Sequence, residues 1–161
     1  MPGRIPQGSV CPAPVGGVDL VPTFFHFAGI DLPWPMHGHN LSPLLAEPTA
    51  DWPHPMLMTA TGRKYGSDTD VIPTGKDAYH GGAPWYVMLR EGRYKYVRPL
   101  IPNDLEELYD LREDPDELNN LAVKPEHAQR LNQFRAAAIA QLRKNNAGFV
   151  DRMTPPVRAG P

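Results

Sequence analysis

Residues 107–122 read Glu-Leu-Tyr-Asp-Leu-Arg-Glu-Asp-Pro-Asp-Glu-Leu-Asn-Asn-Leu-Ala, and this stretch decides the fold. Within it, Leu108, Tyr109 and Leu111 form a short apolar run that predicts a strand with one buried face. Pro115 fixes φ for a turn, and the Asp114 carboxylate is placed to accept a backbone N–H across it. Leu118 and Leu121 follow at helical spacing, so one turn of helix is expected next.

Apolar runs before this stretch and an amphipathic run after it predict the remaining elements. The predicted strands cover 55–61, 85–90, 93–98 and 106–111. The short connection Glu91-Gly92 predicts a hairpin between the second and third strands. A helix over about 125–145 has an apolar stripe of Leu131, Phe134, Ala138 and Leu142. The expected fold class is α+β, a small antiparallel sheet of about four strands covered by a long C-terminal helix.

An N-terminal helix is predicted over about 20–28. Asp19 is a candidate N-cap, Pro22 is tolerated in the first turn, and Gly29 is a candidate stop. The predicted apolar face consists of Leu20, Phe24, Phe25 and Ala28. This face needs a partner to pack against.

Several stretches, in order along the chain, carry a resemblance to a known family. They are Pro2-Gly3-Arg4-Ile5, Asp19-Leu20-Val21-Pro22-Thr23, Gly38-His39-Asn40-Leu41-Ser42-Pro43-Leu44-Leu45, Gly92-Arg93-Tyr94-Lys95-Tyr96-Val97 and the stretch 107–122. Together they resemble the C-terminal region of type I, formylglycine-dependent sulfatases of the alkaline phosphatase superfamily. The resemblance covers residues 2 to about 122.

The resemblance implies chemistry that these residues do not carry. In the family, a formylglycine made from Cys or Ser in a C/S-x-P-x-R motif is the nucleophile, and Ca²⁺ or Mg²⁺ is bound beside it. Cys11 stands in Cys11-Pro12-Ala13-Pro14-Val15, where alanine and valine replace the required proline and arginine. We therefore expect no catalytic residue, metal ligand or cofactor in this chain, and no sulfatase activity from it alone.

The resemblance also implies a division of the chain and a set of partners. Residues 1–54 would end the catalytic α/β domain and connect it onward, 55–150 would form the C-terminal subdomain, and 151–161 would be a tail. The implied partners are the missing N-terminal catalytic domain and a sulfated small molecule or glycan. The alternatives are a stand-alone non-catalytic binding module and the equivalent part of a phosphonate or phosphate ester hydrolase.

Composition excludes several other classes of function. The formal net charge is −2 across 161 residues, and no basic stripe interleaved with aromatics predicts a nucleic-acid partner. No apolar run is long enough to predict a transmembrane helix, and the first ten residues do not resemble a signal peptide. The compartment stays open, although sulfatases resembling this chain are often periplasmic or secreted.

The loop 62–84 is the best candidate for a binding site. It is long and rich in glycine, and loops of this length in compact domains are often functional. His80, Arg63, Lys64 and Tyr65 combine two cations, an imidazole and an aromatic ring, a set that suits an anionic or sugar-like sulfate ester. By analogy with the family, we expect these four residues to line the substrate pocket of the intact enzyme.

Two other groups of residues invite a catalytic or metal-binding interpretation. His37 and His39 flank Gly38, but no third ligand is near in sequence, so loop histidines with local hydrogen bonds are expected. The acidic residues between positions 104 and 117 are expected to form a solvated face. They are Asp104, Glu106, Glu107, Asp110, Glu113, Asp114, Asp116 and Glu117.

Overall fold

The computed structural model describes residues 5–157. It divides into two compact units, one ending at Met56 and the other beginning at Leu57. Helices and an antiparallel sheet are both present, which confirms the predicted α+β class. None of the helices in the described part of the chain is long and apolar enough to cross a membrane.

The first unit is built around helix α1 (Leu20–Ala28). Gly29 ends it in the left-handed conformation at φ 67°, as predicted, since glycine adopts this conformation without a Cβ penalty. Asp19 precedes the helix but does not cap it with its side chain. Its buried carboxylate instead accepts hydrogen bonds from the backbone N–H of Gly16 at 2.7 Å and of His39 at 2.8 Å. Asp19 therefore stands at the predicted N-cap position, but its carboxylate binds backbone N–H groups outside the helix.

A second helix of the first unit, α2 (Ser42–Ala46), was not predicted. The buried Thr23 hydroxyl of α1 fixes the backbone just before α2. It donates to the carbonyl of Asp19 at 2.6 Å and accepts from the N–H of Leu41 at 2.9 Å. Leu44 of α2 is buried, whereas the predicted apolar face of α1 is largely exposed. Phe24 is 63% exposed.

The second unit contains a four-stranded antiparallel sheet in the order β1-β4-β5-β6. These strands are β1 (Met56–Ala60), β4 (Tyr86–Glu91), β5 (Tyr94–Pro99) and β6 (Glu107–Asp110). A separate two-stranded hairpin pairs β2 (Tyr79–His80) with β3 (Ala83–Pro84). Glu91 pairs with Tyr94 across the predicted β4–β5 hairpin, and Gly92 makes the turn at φ 54°. All four strands expected from the sequence are therefore present.

One long helix, α3 (Ala128–Lys144), packs on one face of this sheet. It begins slightly later than predicted, because Pro125–His127 forms a 3-10 turn. All four residues of the predicted stripe are buried, in two clusters. Leu131, Phe134 and Ala138 pack with Leu89, Tyr96 and Leu108, while Leu142 packs with Trp85, Val87, Leu100 and Phe149.

The acidic segment differs from the predicted solvated face at two positions. Glu106 is 3% exposed and Asp110 is 8% exposed. The Glu106 carboxylate accepts from the guanidinium of Arg135 on α3 and from the hydroxyl of Tyr96 on β5. Asp110 pairs with Arg93 at 2.8 Å. The cations that pair with these carboxylates are Arg135 and Arg93, which lie elsewhere in the sequence. The residues next to Glu106 and Asp110 in sequence therefore do not indicate that they are buried.

The turn after β6 matches its prediction only in part. The Asp114 carboxylate accepts from the backbone N–H of Leu118 at 3.0 Å and of Asn119 at 2.8 Å, as expected of an Asp before proline. The helical turn expected from Leu118 does not form, and that side chain is 78% exposed. Glu117 has φ 56°, which breaks the helical path before it can begin.

Candidate functional site

The loop between β1 and β4 is held at its base by the core of the second unit. Ala78 is 1% exposed and Trp85 is 2% exposed. The backbone N–H of Trp85 donates to the Ala78 carbonyl at 2.8 Å. Ile72 also packs against the cluster that contains Trp85. The loop is therefore anchored to the core at buried Ala78 and at partly buried Ile72, while Arg63, Lys64 and His80 are exposed.

The structure places the backbone before Arg63 beside His80, and a glycine makes this approach possible. A Cβ on Gly62 would lie 3.2 Å from Cβ of His80, so the backbone that precedes Arg63 lies directly against β2. Gly62 has φ 63°, a conformation that glycine adopts readily. The close approach places the start of Arg63-Lys64-Tyr65 beside His80, across 18 residues of sequence. A larger residue at position 62 would strain both the turn and this contact.

The turn that follows Gly62 is closed by hydrogen bonds around Thr61. The Thr61 hydroxyl donates to the carbonyl of Lys64 at 2.9 Å, and the Lys64 N–H donates to the carbonyl of Thr61 at 3.2 Å. Arg63, Lys64 and His80 are exposed, and Tyr65 is 75% exposed. The backbone of the turn is fixed while its side chains project into solvent.

Charge in the loop is available for a ligand. Within residues 5–157, neither Arg63 nor Lys64 forms a salt bridge, whereas Arg93, Lys95, Arg135 and Arg143 all do. Exposed cations without a protein carboxylate suit the binding of an anionic group. Tyr65 and Tyr79, which both follow the cations in sequence, add exposed aromatic surface. The set can bind and orient a ligand, but it includes no nucleophile paired with a base.

The loop also contacts the C-terminal segment at Asp70, and the sequence did not indicate this contact. Arg152 donates to the carbonyl of Asp70 at 2.7 Å. The carboxylate of Asp70 lies against the backbone of Gly148, so closely that a Cβ there would be 1.9 Å from one of its oxygens. Only a glycine fits at position 148 without displacing the loop.

An apolar depression of about 300 Å³ borders the β2–β3 hairpin. Pro84 from the hairpin lines it, together with Met88 on β4 and Val97 on β5. Lys95 and Glu107 lie at its polar side, and the Lys95 ammonium is bound by Glu117 at 2.6 Å. This depression was not predicted, although the alternation of side chains along β4 and β5 was a signal that could have located a second sheet face.

His37 and His39 were expected to be loop histidines with local hydrogen bonds. The His39 ring stacks on His54, with ring centroids 3.7 Å apart and an interplanar angle of 18°. Trp52 contacts both rings edge-on, at 6.2 Å from His39 and 4.8 Å from His54. The His39 backbone N–H donates to the Asp19 carboxylate, 20 residues away in sequence, so this hydrogen bond is not local. His54 was missed because it lies 15 residues from His39 in sequence.

The buried carboxylate Glu106 is part of the scaffold. Burial raises the pKa of the Tyr96 hydroxyl well above its usual range, and the hydrogen bond to Glu106 raises it further. Both side chains are closed off from solvent, so they are not placed to meet a substrate. Among the described residues, no group of three or more His, Cys, Asp or Glu side chains is arranged to hold a metal ion. Cys11 is exposed and free.

Comparison with known proteins identifies sulfatases as relatives. Delta 4,5-hexuronate-2-O-sulfatase of Bacteroides thetaiotaomicron is 33% identical over 120 residues, which cover 74% of this chain and 22% of that protein. Arylsulfatase K of Homo sapiens is 36% identical over 126 residues, which cover 72% of this chain and 20% of that protein. No protein-family model matches the sequence.

A solved structure gives the same result. The structure of BT4656 in complex with its substrate D-glucosamine-2-N,6-O-disulfate is 27% identical, with a TM-score of 0.67. The match covers 91% of this chain and 28% of that chain. The chain therefore spans between a fifth and a third of the length of these relatives, and it shares their fold over most of its own length.

Proposed function

Because this chain belongs to the sulfatases of the alkaline phosphatase superfamily, we propose that it supplies scaffold and one wall of the substrate pocket in a sulfatase. One observation carries the proposal. The loop 62–84 is anchored by buried Ala78 and by its hydrogen bond to Trp85, and within residues 5–157 its exposed cations Arg63 and Lys64 form no salt bridge. A rigid base with free charged side chains is the arrangement expected of a wall that positions a ligand.

The chemistry of ester cleavage is assigned to the part of the enzyme that these residues do not span. The chain has one cysteine and three serines, Ser9, Ser42 and Ser67, and none has proline two positions on and arginine four positions on. Among the described residues, no group of His, Cys, Asp or Glu side chains fits a metal ion either. Sulfatases normally use metal ions, and we propose Ca²⁺ or Mg²⁺ for the intact enzyme.

The exposed face of α1 is proposed to contact that other part. Leu20 is 47% exposed, Phe24 63% and Phe27 38%, and the three side chains share one face of the helix. Exposed apolar patches rimmed by polar residues often mark protein interfaces. Since the relatives are several times longer than this chain, the remainder of a sulfatase is the proposed partner. The interpretation as a free-standing binding module has less support.

The proposed substrate is a sulfated small molecule or glycan. The relatives named above act on a hexuronate 2-O-sulfate and bind a sulfated glucosamine, which are both sulfated sugars. The loop would contact groups of the substrate that are remote from the ester being cleaved. Such contacts are formed equally in the ground and transition states, so they change KM more than kcat.

The test uses the intact enzyme, reconstituted with the part that this chain does not span. His80→Ala is expected to raise KM for a sulfated disaccharide on the order of tenfold, since one hydrogen bond to the substrate is lost. KM for a minimal aryl sulfate, which lacks the remote groups, should change little. His127→Ala serves as the matched control, because that histidine lies before α3 and outside the loop. If both substrates are unaffected in a folded His80→Ala enzyme, the loop is not part of the pocket.

A further inference from the structure

The first unit contains a groove of about 600 Å³ that has no role so far. We call it the histidine groove. One wall is formed by Phe25 and His26 of α1, and the other by His39, Trp52 and His54. Its volume lies within the range of about 300–1,000 Å³ that is usual for small-molecule sites in proteins.

The ring-bearing wall of the groove is fixed by buried contacts. The His39 backbone is held by the Asp19 carboxylate at 2.8 Å, and that carboxylate is 8% exposed. The Trp52 indole N–H donates to the carbonyl of Pro14 at 3.1 Å. His54 is then stacked on His39 at 3.7 Å. These rings are ordered before any ligand arrives, which reduces the entropy lost on binding.

The groove combines flat rings with short polar side chains. Asn40 and Asp31 line it together with the three histidines, and Ile30 and Leu32 add apolar surface. A pyranose ring has a matching character, since its axial C–H groups form an apolar face and its hydroxyls form a polar rim. Amide, carboxylate and imidazole groups each hydrogen-bond hydroxyls as donor or acceptor. We propose that the histidine groove binds the pyranose ring of a sugar.

Charge in the groove does not require an anionic ligand. The groove is lined by the carboxylate of Asp31 and by the imidazoles of His26, His39 and His54, and Asp19 lies 3.7 Å from the His39 ring, so acidic groups and imidazoles are both present. A neutral sugar and a sulfated one should therefore bind with similar affinity. The proposal concerns residues outside the loop 62–84 and needs no ester cleavage. Its test is therefore independent of the test of the proposed function.

The groove and the exposed apolar face of α1 are different surfaces of the first unit. Leu20, Phe24 and Phe27 form the exposed apolar face of the helix, and Pro22 and His26 lie on the opposite face. The two proposals therefore concern separate sets of residues.

The test is a titration of the whole chain followed by NMR of the histidine ring protons. The probes are N-acetyl-D-glucosamine and D-glucosamine 6-sulfate, with glycerol and inorganic sulfate as controls. We expect saturable shifts confined to His26, His39 and His54, with a dissociation constant on the order of 1 mM for both sugars. Equal shifts with glycerol, shifts only with the sulfated probes, or no saturable shift would overturn the proposal.

Variants locate the binding. His54→Ala should weaken binding about tenfold, because a stacked ring and its hydrogen bond are lost. Ile30→Trp provides a second variant, since Ile30 is 59% exposed and a larger side chain there fills the groove without disturbing the core. His127→Ala, outside both the groove and the loop 62–84, should bind both sugars as the native chain does. If folded Ile30→Trp binds the sugars unchanged, the groove is not the site.

Discussion

Helices α3 and α1 carry the same kind of sequence pattern and have opposite surroundings. On α3, Leu131 and Leu142 are each 1% exposed, because the sheet of the second unit covers the stripe. On α1, Phe24 is 63% exposed and Leu20 is 47% exposed. Periodicity identifies the apolar face of a helix, but it does not say whether the same chain provides the surface that covers it.

The largest expected difference between the two regions is in resistance to proteolysis. Limited digestion with chymotrypsin should remove roughly the first fifty residues and leave 55–145 intact. Exposed aromatics such as Phe24 and Trp34 offer cleavage sites, and local opening is easiest where few apolar contacts are buried. Mass spectrometry of the digest checks this. Equal protection of both regions would show that the first unit is as stable as the second without a partner.

Matched phenylalanine substitutions compare the two helices directly. Phe134→Ala on α3 should lower the free energy of unfolding by about 3–5 kcal/mol, because it leaves a cavity between α3 and the sheet. Phe24→Ala should change it by no more than about 0.5 kcal/mol, as is usual for exposed positions. Urea unfolding followed by circular dichroism measures both. Similar losses would mean that the apolar face of α1 is buried in solution.

The buried carboxylate provides a second comparison, between interior and surface ion pairs of the second unit. Glu106→Gln should destabilise the chain on the order of 2 kcal/mol, since Arg135 is then left partly buried without its carboxylate. Glu117→Gln removes the partially exposed partner of Lys95 and should cost less than about 1 kcal/mol. The free energies of unfolding of the two variants, measured by urea unfolding under identical conditions, test this difference. Equal effects would contradict a structural role for Glu106.

A smaller effect concerns pH and the turn after β6. The backbone N–H groups of Asn119 and Leu118 lower the pKa of Asp114 below its usual value near 3.8. A lowered folded-state pKa means that the contribution to stability is fully present above the unfolded pKa and is lost as the pH falls through the folded pKa. Asp114→Asn should therefore reduce the difference in unfolding midpoint between neutral and acidic buffer. Asp116→Asn, in the same turn, is the control and should not.

Much of the fold was predictable because it rests on local patterns. All four strands, the α3 stripe and the left-handed Gly29 follow from periodicity and from the conformational freedom of glycine. The unpredicted helix α2 is short. The backbone before it is fixed by a hydrogen bond from the N–H of Leu41 to the hydroxyl of Thr23, 18 residues away. Local sequence carries no signal for such a contact.

The candidate site was predictable in its residue types and not in its arrangement. The sequence indicated that 62–84 is a long loop with cations and His80, and that role stays a prediction. The contact between Gly62 and His80, the tie between Asp70 and Gly148, and the stack of His39 on His54 all join residues distant in sequence. Motifs defined by the spacing of residues along the sequence do not indicate such contacts.

The sequence by itself determined the α+β class, the order of the elements and the resemblance to sulfatases, since these depend on side-chain periodicity and on short motifs. Tertiary structure alone decided which charges are buried. Glu106 belongs to an acidic run that predicts a solvated face, yet it lies in the interior because Arg135 reaches it across 29 residues. A carboxylate can be buried only where a cation and hydrogen-bond donors meet it, and the folded chain alone brings those partners together.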